Sequence, residues 1–152
     1  MAGSKLVFFS ALPEREKQAF EKKLKDKKII FNRNSFDAML SYRENEIAGY
    51  VMFEKEPHYN FLTAHEIYVF EKFRIPKFVK NPVSLELARA FSKHAESRGL
   101  KLKLILNERG EKFDRKAFNH IKKDFPHARY CIHREDVPEM RVSFKPKKTR
   151  RR

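Results

Sequence analysis

Three cationic side chains lie between a predicted strand and a predicted helix, at a place where a phosphate could bind. Arg74, Lys77 and Lys80 follow the β-branched and aromatic run 67–70, and a helical pattern begins at Asn81. In a strand, loop and helix unit, the loop amides and the positive end of the helix dipole converge, so an anion finds donors already in place. This segment therefore predicts a phosphate-binding loop.

A thiol and an imidazole form a second group that could do chemistry. Cys131 and His133 lie two residues apart in a predicted strand, so their side chains share a face. Without a third group to orient the histidine, they make only a weak claim to be a nucleophile. The sequence has no Gly-rich nucleotide loop, paired-carboxylate motif or zinc-type spacing, and no metal site is predicted.

The segment 64–107 would position the phosphate loop as strand, loop, helix and strand. Asn81 can cap the helix, Pro82 suits its first turn, and Gly99 falls where a left-handed residue ends a helix. Leucines then alternate with other residues from Leu100 to Leu106, which indicates a strand with one buried face. Two strands joined through a helix make a right-handed crossover.

The remaining pattern predicts an α+β chain whose order is strand, helix, strand, strand, strand, helix, strand, helix, strand, strand. A helix opens at Pro13, period-two alternation begins at Phe36, a bulge or close backbone approach is expected at Gly49, and Asn107–Gly110 reads as a loop. The last three predicted elements are a helix and two strands, at 112–123, 128–133 and 140–144.

Charge is the strongest compositional feature. Thirty-five basic and 20 acidic residues give a net charge of +15, a field that attracts polyanions and anionic cofactors. We expect a single domain over 1–144 and a basic, disordered tail over 145–152. One cysteine excludes an internal disulfide, and no apolar run reaches membrane-spanning length. These features predict a soluble cytoplasmic protein.

The run Ile67–Val69, the Phe73-Arg74 pair and the following helix resemble the fourth strand, pyrophosphate loop and third helix of the GCN5-related N-acetyltransferase (GNAT) superfamily. The resemblance implies the GNAT-like acyl-CoA N-acyltransferase fold, a mostly antiparallel mixed sheet of about seven strands with three helices. It also implies transfer of an acyl group from acetyl-CoA to an amine. Family members usually have two helices before the second strand, whereas this chain has room for one, so the acceptor is not carried over.

The same resemblance implies the cofactor-binding residues. The backbone of Val69, Phe70 and Glu71 would bind the pantetheine arm in a groove between the fourth and fifth strands. Arg74 stands at the first position of the family's pyrophosphate loop, while Lys77 and Val79 replace its two small residues. The set that the resemblance assigns to the cofactor is completed by Phe78, Lys80 and Asn107.

Candidates for proton transfer also follow from the resemblance. A carboxylate or histidine on the central strands often serves as the base, which implies Glu66 or His65, and alternation along a strand predicts that these two point to opposite faces. Aligning Phe125 with the family's last helix places His120 where a tyrosine commonly acts as the acid. Tyr130 is the second choice for that role.

A different class of function stays open, because the fold could carry a catalytically inactive protein that binds RNA, DNA or a protein partner. Lys101 and Lys103 share one predicted strand face, and Arg141 and Lys145 lie on another strand and its end. Together with the tail they could form a strip that binds a nucleic-acid backbone. The aromatic residues available for stacking are Tyr42, Tyr68 and Phe78.

Overall fold

A computed structural model describes residues 5–74, 83–106, 108–134 and 137–145. The strands are β1 (Lys5–Phe8), β2 (Phe36–Arg43), β3 (Glu46–Glu54), β4 (Phe61–Val69), β5 (Lys101–Ile105), β6 (Arg129–His133) and β7 (Glu139–Ser143). The α-helices are α1 (Glu14–Asp26), α2 (Val83–Ser97) and α3 (Glu108–Ile121). Short 3-10 turns occupy Phe9–Ala11, Glu71–Phe73 and Lys122–Asp124.

The seven strands form one mixed sheet in the order β1-β2-β3-β4-β5-β7-β6. Only β4 and β5 pair in parallel among these neighbours, and α2 makes the crossover between them. The predicted order of elements and the mixed, mostly antiparallel sheet are confirmed. One α-helix lies between β1 and β2, as the sequence indicated.

Helices cover the sheet on both faces and bury two hydrophobic clusters. Phe20 and Leu24 of α1 are fully buried against one face, beside Leu40 and Tyr50. Helices α2 and α3 cover the other face, where Phe91 of α2 is buried among phenylalanine and leucine side chains. Because both faces are covered here, β3 is buried continuously from Ile47 to Phe53, and β2 is buried over its middle four residues.

A tight turn joins β2 to β3, and the close backbone approach predicted at Gly49 is confirmed. Glu44 and Asn45 have φ of 53° and 65°, the two positive angles that a two-residue type I′ hairpin loop requires between β2 and β3. At Gly49 a Cβ atom would lie 2.6 Å from the carbonyl oxygen of Tyr68, so the neighbouring backbone approaches too closely for any larger residue. Helix α2 can therefore pack directly over this point of the sheet.

The predicted loop at Asn107–Gly110 is wrong for its described part, because α3 begins at Glu108 and includes Gly110. A glycine in a helix interior costs about 1 kcal/mol relative to alanine, which packing of the apolar face of α3 offsets. Asn107 lies outside the described residues, as does the basic tail beyond Lys145.

Candidate functional site

The two parallel strands in the middle of the sheet separate along part of their length. Residues Phe61 to Ala64 of β4 pair with Lys101 to Leu104 of β5, and β4 then continues to Val69 without a β5 partner among the described residues. The edge of β4 from His65 to Val69 therefore has no β5 partner among the described residues, and we call this stretch of strand edge the gap. Such a gap leaves backbone donors and acceptors on one strand edge available to a ligand.

A β-bulge lies where the gap begins. The β3–β4 register changes between Met52 and Phe53, so that His65 is an extra residue on β4. His65 Nε2 lies 3.2 Å from a Glu54 carboxylate oxygen, and Glu66 accepts a 3.2 Å hydrogen bond from the Tyr50 hydroxyl. Both contacts are on the α1 side of the sheet, so the prediction that His65 and Glu66 point to opposite faces is wrong, because a bulge interrupts simple alternation.

Glu66 is a half-buried carboxylate at the start of the gap. Burial raises its pKa, and the hydrogen bond from Tyr50 opposes that rise. The Tyr50 side chain is fully buried, and its ring stacks on Tyr68 with centroids 5.6 Å apart. Burial and the charge of Glu66 raise the pKa of Tyr50, which keeps the hydroxyl protonated as a donor. This geometry holds Glu66 in one position as a proton acceptor.

A small cavity lies on the other side of the sheet, beneath α2 and α3. Its volume is about 30 Å³, room for a water-sized group. Asp114 is the one charged side chain among the described residues that line the cavity, and burial raises its pKa to about 7. The cavity is lined by Ile67, Ala88, Phe91, Ser92, Leu102, Leu104, Asp114, Ala117, Phe118, Ile121, Met140 and Val142.

Asp114 was absent from the predicted site, although the sequence contains a signal for it. The residue precedes Ala117, Phe118 and Ile121 by three, four and seven positions, so it lies on the apolar face of α3. A carboxylate on such a face loses its hydration without gaining a compensating charge, which is the reason for its raised pKa.

Arg74 folds back onto the end of β4. Its Nε donates a 2.9 Å hydrogen bond to the Val69 carbonyl, and its guanidinium lies 5.3 Å from the centre of the Tyr68 ring. The Val69 carbonyl belongs to the peptide group between Val69 and Phe70. The N–H of that same group donates a 2.9 Å hydrogen bond to the Ala48 carbonyl of β3. The Val69 carbonyl therefore points away from β3, toward the gap, where Arg74 occupies it.

In this conformation three of the groups predicted to make strand-like hydrogen bonds with the cofactor, the Phe70 amide and the Phe70 and Glu71 carbonyls, already have partners within the protein. The chain leaves the strand after Val69 and enters the 3-10 turn, in which the Phe70 and Glu71 carbonyls accept hydrogen bonds from the amides of Phe73 and Arg74. Phe70 is buried and Glu71 is exposed. Four further predicted cofactor residues lie outside the described residues, namely Lys77, Phe78, Val79 and Lys80.

The two predicted acids lie away from the gap. His120 is exposed on α3, whereas the face of that helix over the cavity carries Phe118 and Ile121. Tyr130 is on β6, separated from β5 by β7, and its ring packs 4.7 Å from that of Phe118. Its hydroxyl accepts a 3.2 Å hydrogen bond from Arg115. The structure therefore does not bring either residue to Glu66.

The thiol and imidazole on β6 are adjacent, as predicted. Cys131 Sγ lies 3.3 Å from His133 Nε2 on one face of the strand. They are remote from the gap, because β7 and β5 lie between β6 and β4.

Three solved structures illustrate the similarity of this fold to known proteins. GCN5 of Tetrahymena matches with a TM-score of 0.62 and 11% identity, over 94% of this chain and 98% of that one. ElaA of Escherichia coli matches with a TM-score of 0.59 and 11% identity, over 93% of this chain and 98% of that one. The ribosomal-protein-alanine N-acetyltransferase of Brucella melitensis biovar Abortus matches with a TM-score of 0.54 and 18% identity, over 78% of this chain and 90% of that one.

No protein-family model matches the chain, and no curated protein matches it in sequence. In the described residues, no helix is both long and apolar enough to cross a membrane. The strand order, the parallel β4–β5 pair and the structural matches agree with one another. The chain has the fold of the GCN5-related N-acetyltransferase superfamily.

Proposed function

We propose that this protein is an acyl-CoA-dependent N-acyltransferase that uses acetyl-CoA and an amine acceptor. The observation that carries the proposal is the gap between β4 and β5, with the half-buried Glu66 carboxylate at its start. In this proposal an acyl thioester and an amine meet there, because β4 has no β5 partner beyond Ala64 among the described residues and Glu66 lies on the α1 side of that strand edge. Bound acetyl-CoA supplies the activated acyl group.

In this proposal Glu66 accepts the proton that the amine loses as it attacks. A raised pKa makes the carboxylate a better base near neutral pH than an ordinary glutamate. Asp114 approaches from the opposite side of the sheet and holds a proton up to about pH 7. It is the proposed acid that protonates the departing thiolate, in place of His120 and Tyr130.

Arg74 and Val69 are the proposed contacts for the pantetheine and pyrophosphate. The Val69 carbonyl is the strand-edge acceptor, and the Arg74 guanidinium must leave it before a ligand amide can use it. Released from Val69, Arg74 presents a cation to a phosphate, for which guanidinium is well suited. Lys77, Phe78, Val79, Lys80 and Asn107 remain predicted cofactor contacts.

Thermal stability with and without acetyl-CoA tests the proposal. A ligand at a hundred times its dissociation constant adds about 2.7 kcal/mol to the free energy of unfolding. Arg74→Ala is expected to lose this stabilisation, whereas Arg15→Ala, on the exposed side of α1, keeps it. If millimolar acetyl-CoA leaves the unfolding temperature of the wild type unchanged, the cofactor assignment is wrong.

Release of the CoA thiol in the presence of lysine peptides and polyamines tests catalysis separately. Glu66→Gln keeps nearly the same shape but cannot accept a proton, and we expect a loss of about 10²- to 10⁴-fold in rate. The variant should still be stabilised by acetyl-CoA. If acetyl-CoA stabilises the wild type but no amine in the panel leads to thiol release, a catalytically inactive protein of this fold is favoured instead.

A further inference from the structure

One half of the sheet carries cations on a face that α1 does not cover. The cluster beneath α1 contains residues of β2 and β3 and, among the described residues, none of β5, β6 or β7. Leu102 and Val142 are buried on the opposite face, so the alternate positions Lys101, Lys103 and Arg141 lie on the uncovered one. We call Phe61, Lys101, Lys103, Arg129 and Arg141 the basic face.

Three cations of the basic face surround one aromatic ring. The Lys101 and Lys103 ammonium groups lie 5.7 and 5.0 Å from the centre of the Phe61 ring, and the Arg141 guanidinium carbon lies 5.5 Å from it. Lys103 and Arg141 are also direct partners across β5 and β7. Like charges placed opposite each other destabilise a sheet, so this arrangement works against folding.

The carboxylate of Glu139 offsets part of this repulsion. Glu139 contacts Lys103 at 3.5 Å and Arg141 at 3.1 Å. Burial acts to raise the pKa of Glu139, but the hydrogen bond from Arg141 and the charge of Lys103 outweigh it and lower that pKa. Among the described residues, Glu139 is the carboxylate that contacts Lys103 and Arg141, and the four cations of the basic face outnumber it.

The basic face is concave. Phe61, Lys101, Arg129 and Arg141 line a cleft of about 530 Å³, within the size range of pockets that hold small ligands. The exposed Lys145 lies beside Lys101, since both line an adjoining depression at the end of the sheet. The sequence beyond Lys145 adds five more basic residues, so the cationic character continues along the chain.

We propose that the basic face binds single-stranded nucleic acid. Its cations would contact the phosphates, and Phe61 would stack on an unpaired base, the combination by which proteins bind single strands without sequence preference. A duplex hides its base faces, so it cannot use the ring. An acidic peptide could use the charges but would leave the aromatic centre of the cleft without a role. The proposal does not depend on acyl transfer.

Fluorescence anisotropy with a labelled oligothymidylate or oligouridylate of about twelve nucleotides tests the proposal on the full chain. Four phosphate contacts predict a slope of about −2.8 in log K against log salt, or roughly 50-fold weaker binding between about 50 and 200 mM. Phe61→Leu should weaken binding about five- to 150-fold, the range for one lost base stack. The double variant Lys101→Gln, Lys103→Gln removes two cations of the basic face. Its charge-matched control is Lys22→Gln, Lys25→Gln on the exposed side of α1, which should bind as the wild type does.

Cys131 reports directly on occupancy, because the chain's single cysteine is exposed and lies in the same cleft. Saturating oligonucleotide should slow its alkylation, and should still do so when the five basic residues beyond Lys145 are changed to glutamine. An unprotected Cys131 at saturation, or loss of all binding in the tail variant, would overturn the proposal. It would equally fail if a duplex or polyglutamate bound as tightly as the single strand, or if Phe61→Leu bound like the wild type.

Discussion

The buried carboxylate of Asp114 should make the stability of this protein depend on pH in a way that one substitution removes. Asp114→Asn replaces an ionisable group by a neutral one of almost the same shape. The Asp114 side chain is in an apolar cavity, and burial alone raises its pKa from 3.8 to about 7. The unfolded chain keeps the ordinary value, since the carboxylate is hydrated there.

The size of the effect follows from the difference between those two values. Each pKa unit corresponds to about 1.4 kcal/mol, so ionising Asp114 in the folded state costs about 4 kcal/mol. Between the two values the folded state binds more protons than the unfolded state, and the free energy of unfolding therefore falls as pH rises. The cost is nearly absent below about pH 4 and complete above about pH 7.

Urea unfolding of both forms from about pH 4 to pH 8 measures this difference. We expect Asp114→Asn to gain about 4 kcal/mol relative to the wild type across that range, with most of the gain above about pH 5. Asp26→Asn, at the exposed end of α1, should stay within about 0.5 kcal/mol of the wild type. A wild-type-minus-variant difference that does not change with pH would show that Asp114 is not buried as described.

Three further substitutions test other parts of the structure. Gly49→Ala should destabilise the protein by about 1–3 kcal/mol in thermal unfolding, because its Cβ would lie 2.6 Å from the Tyr68 carbonyl oxygen; an unchanged unfolding temperature would refute this packing. Gly99→Ala has open space but a φ of 69°, so we expect a backbone cost of only about 1 kcal/mol, and a cost above that of Gly49→Ala would contradict it. Tyr50→Phe removes the hydrogen bond that lowers the pKa of Glu66, so the acidic limb of the pH–rate profile, where the base loses its proton, should move to higher pH; a shift to lower pH would exclude this coupling.

Local sequence signals were sufficient for most of the fold. Strand alternation and helix end signals located the crossover that contains α2, and in the Glu44–Asn45 turn Asn45 is a residue type that readily adopts positive φ. The start of α3 was predicted too late, because Gly110 reads as a turn residue and only packing of the helix outweighs its poor propensity.

The candidate site was harder to predict, because its geometry depends on contacts between distant segments. The bulge at His65 comes from the pairing of β3 with β4, and it reverses the side on which one of two neighbouring residues lies. The contact of Arg74 with Val69 depends on a 3-10 turn that no residue pattern predicted. Asp114 could have been found, since a lone carboxylate on an apolar helix face is unusual.

A crystal structure with saturating acetyl-CoA tests the central claim most directly. The proposal predicts that the pantetheine arm lies between β4 and β5, that Arg74 has left the Val69 carbonyl, and that the thioester is within reach of Glu66. A cofactor bound elsewhere, or an empty gap with the bond from Arg74 to Val69 intact, would contradict it.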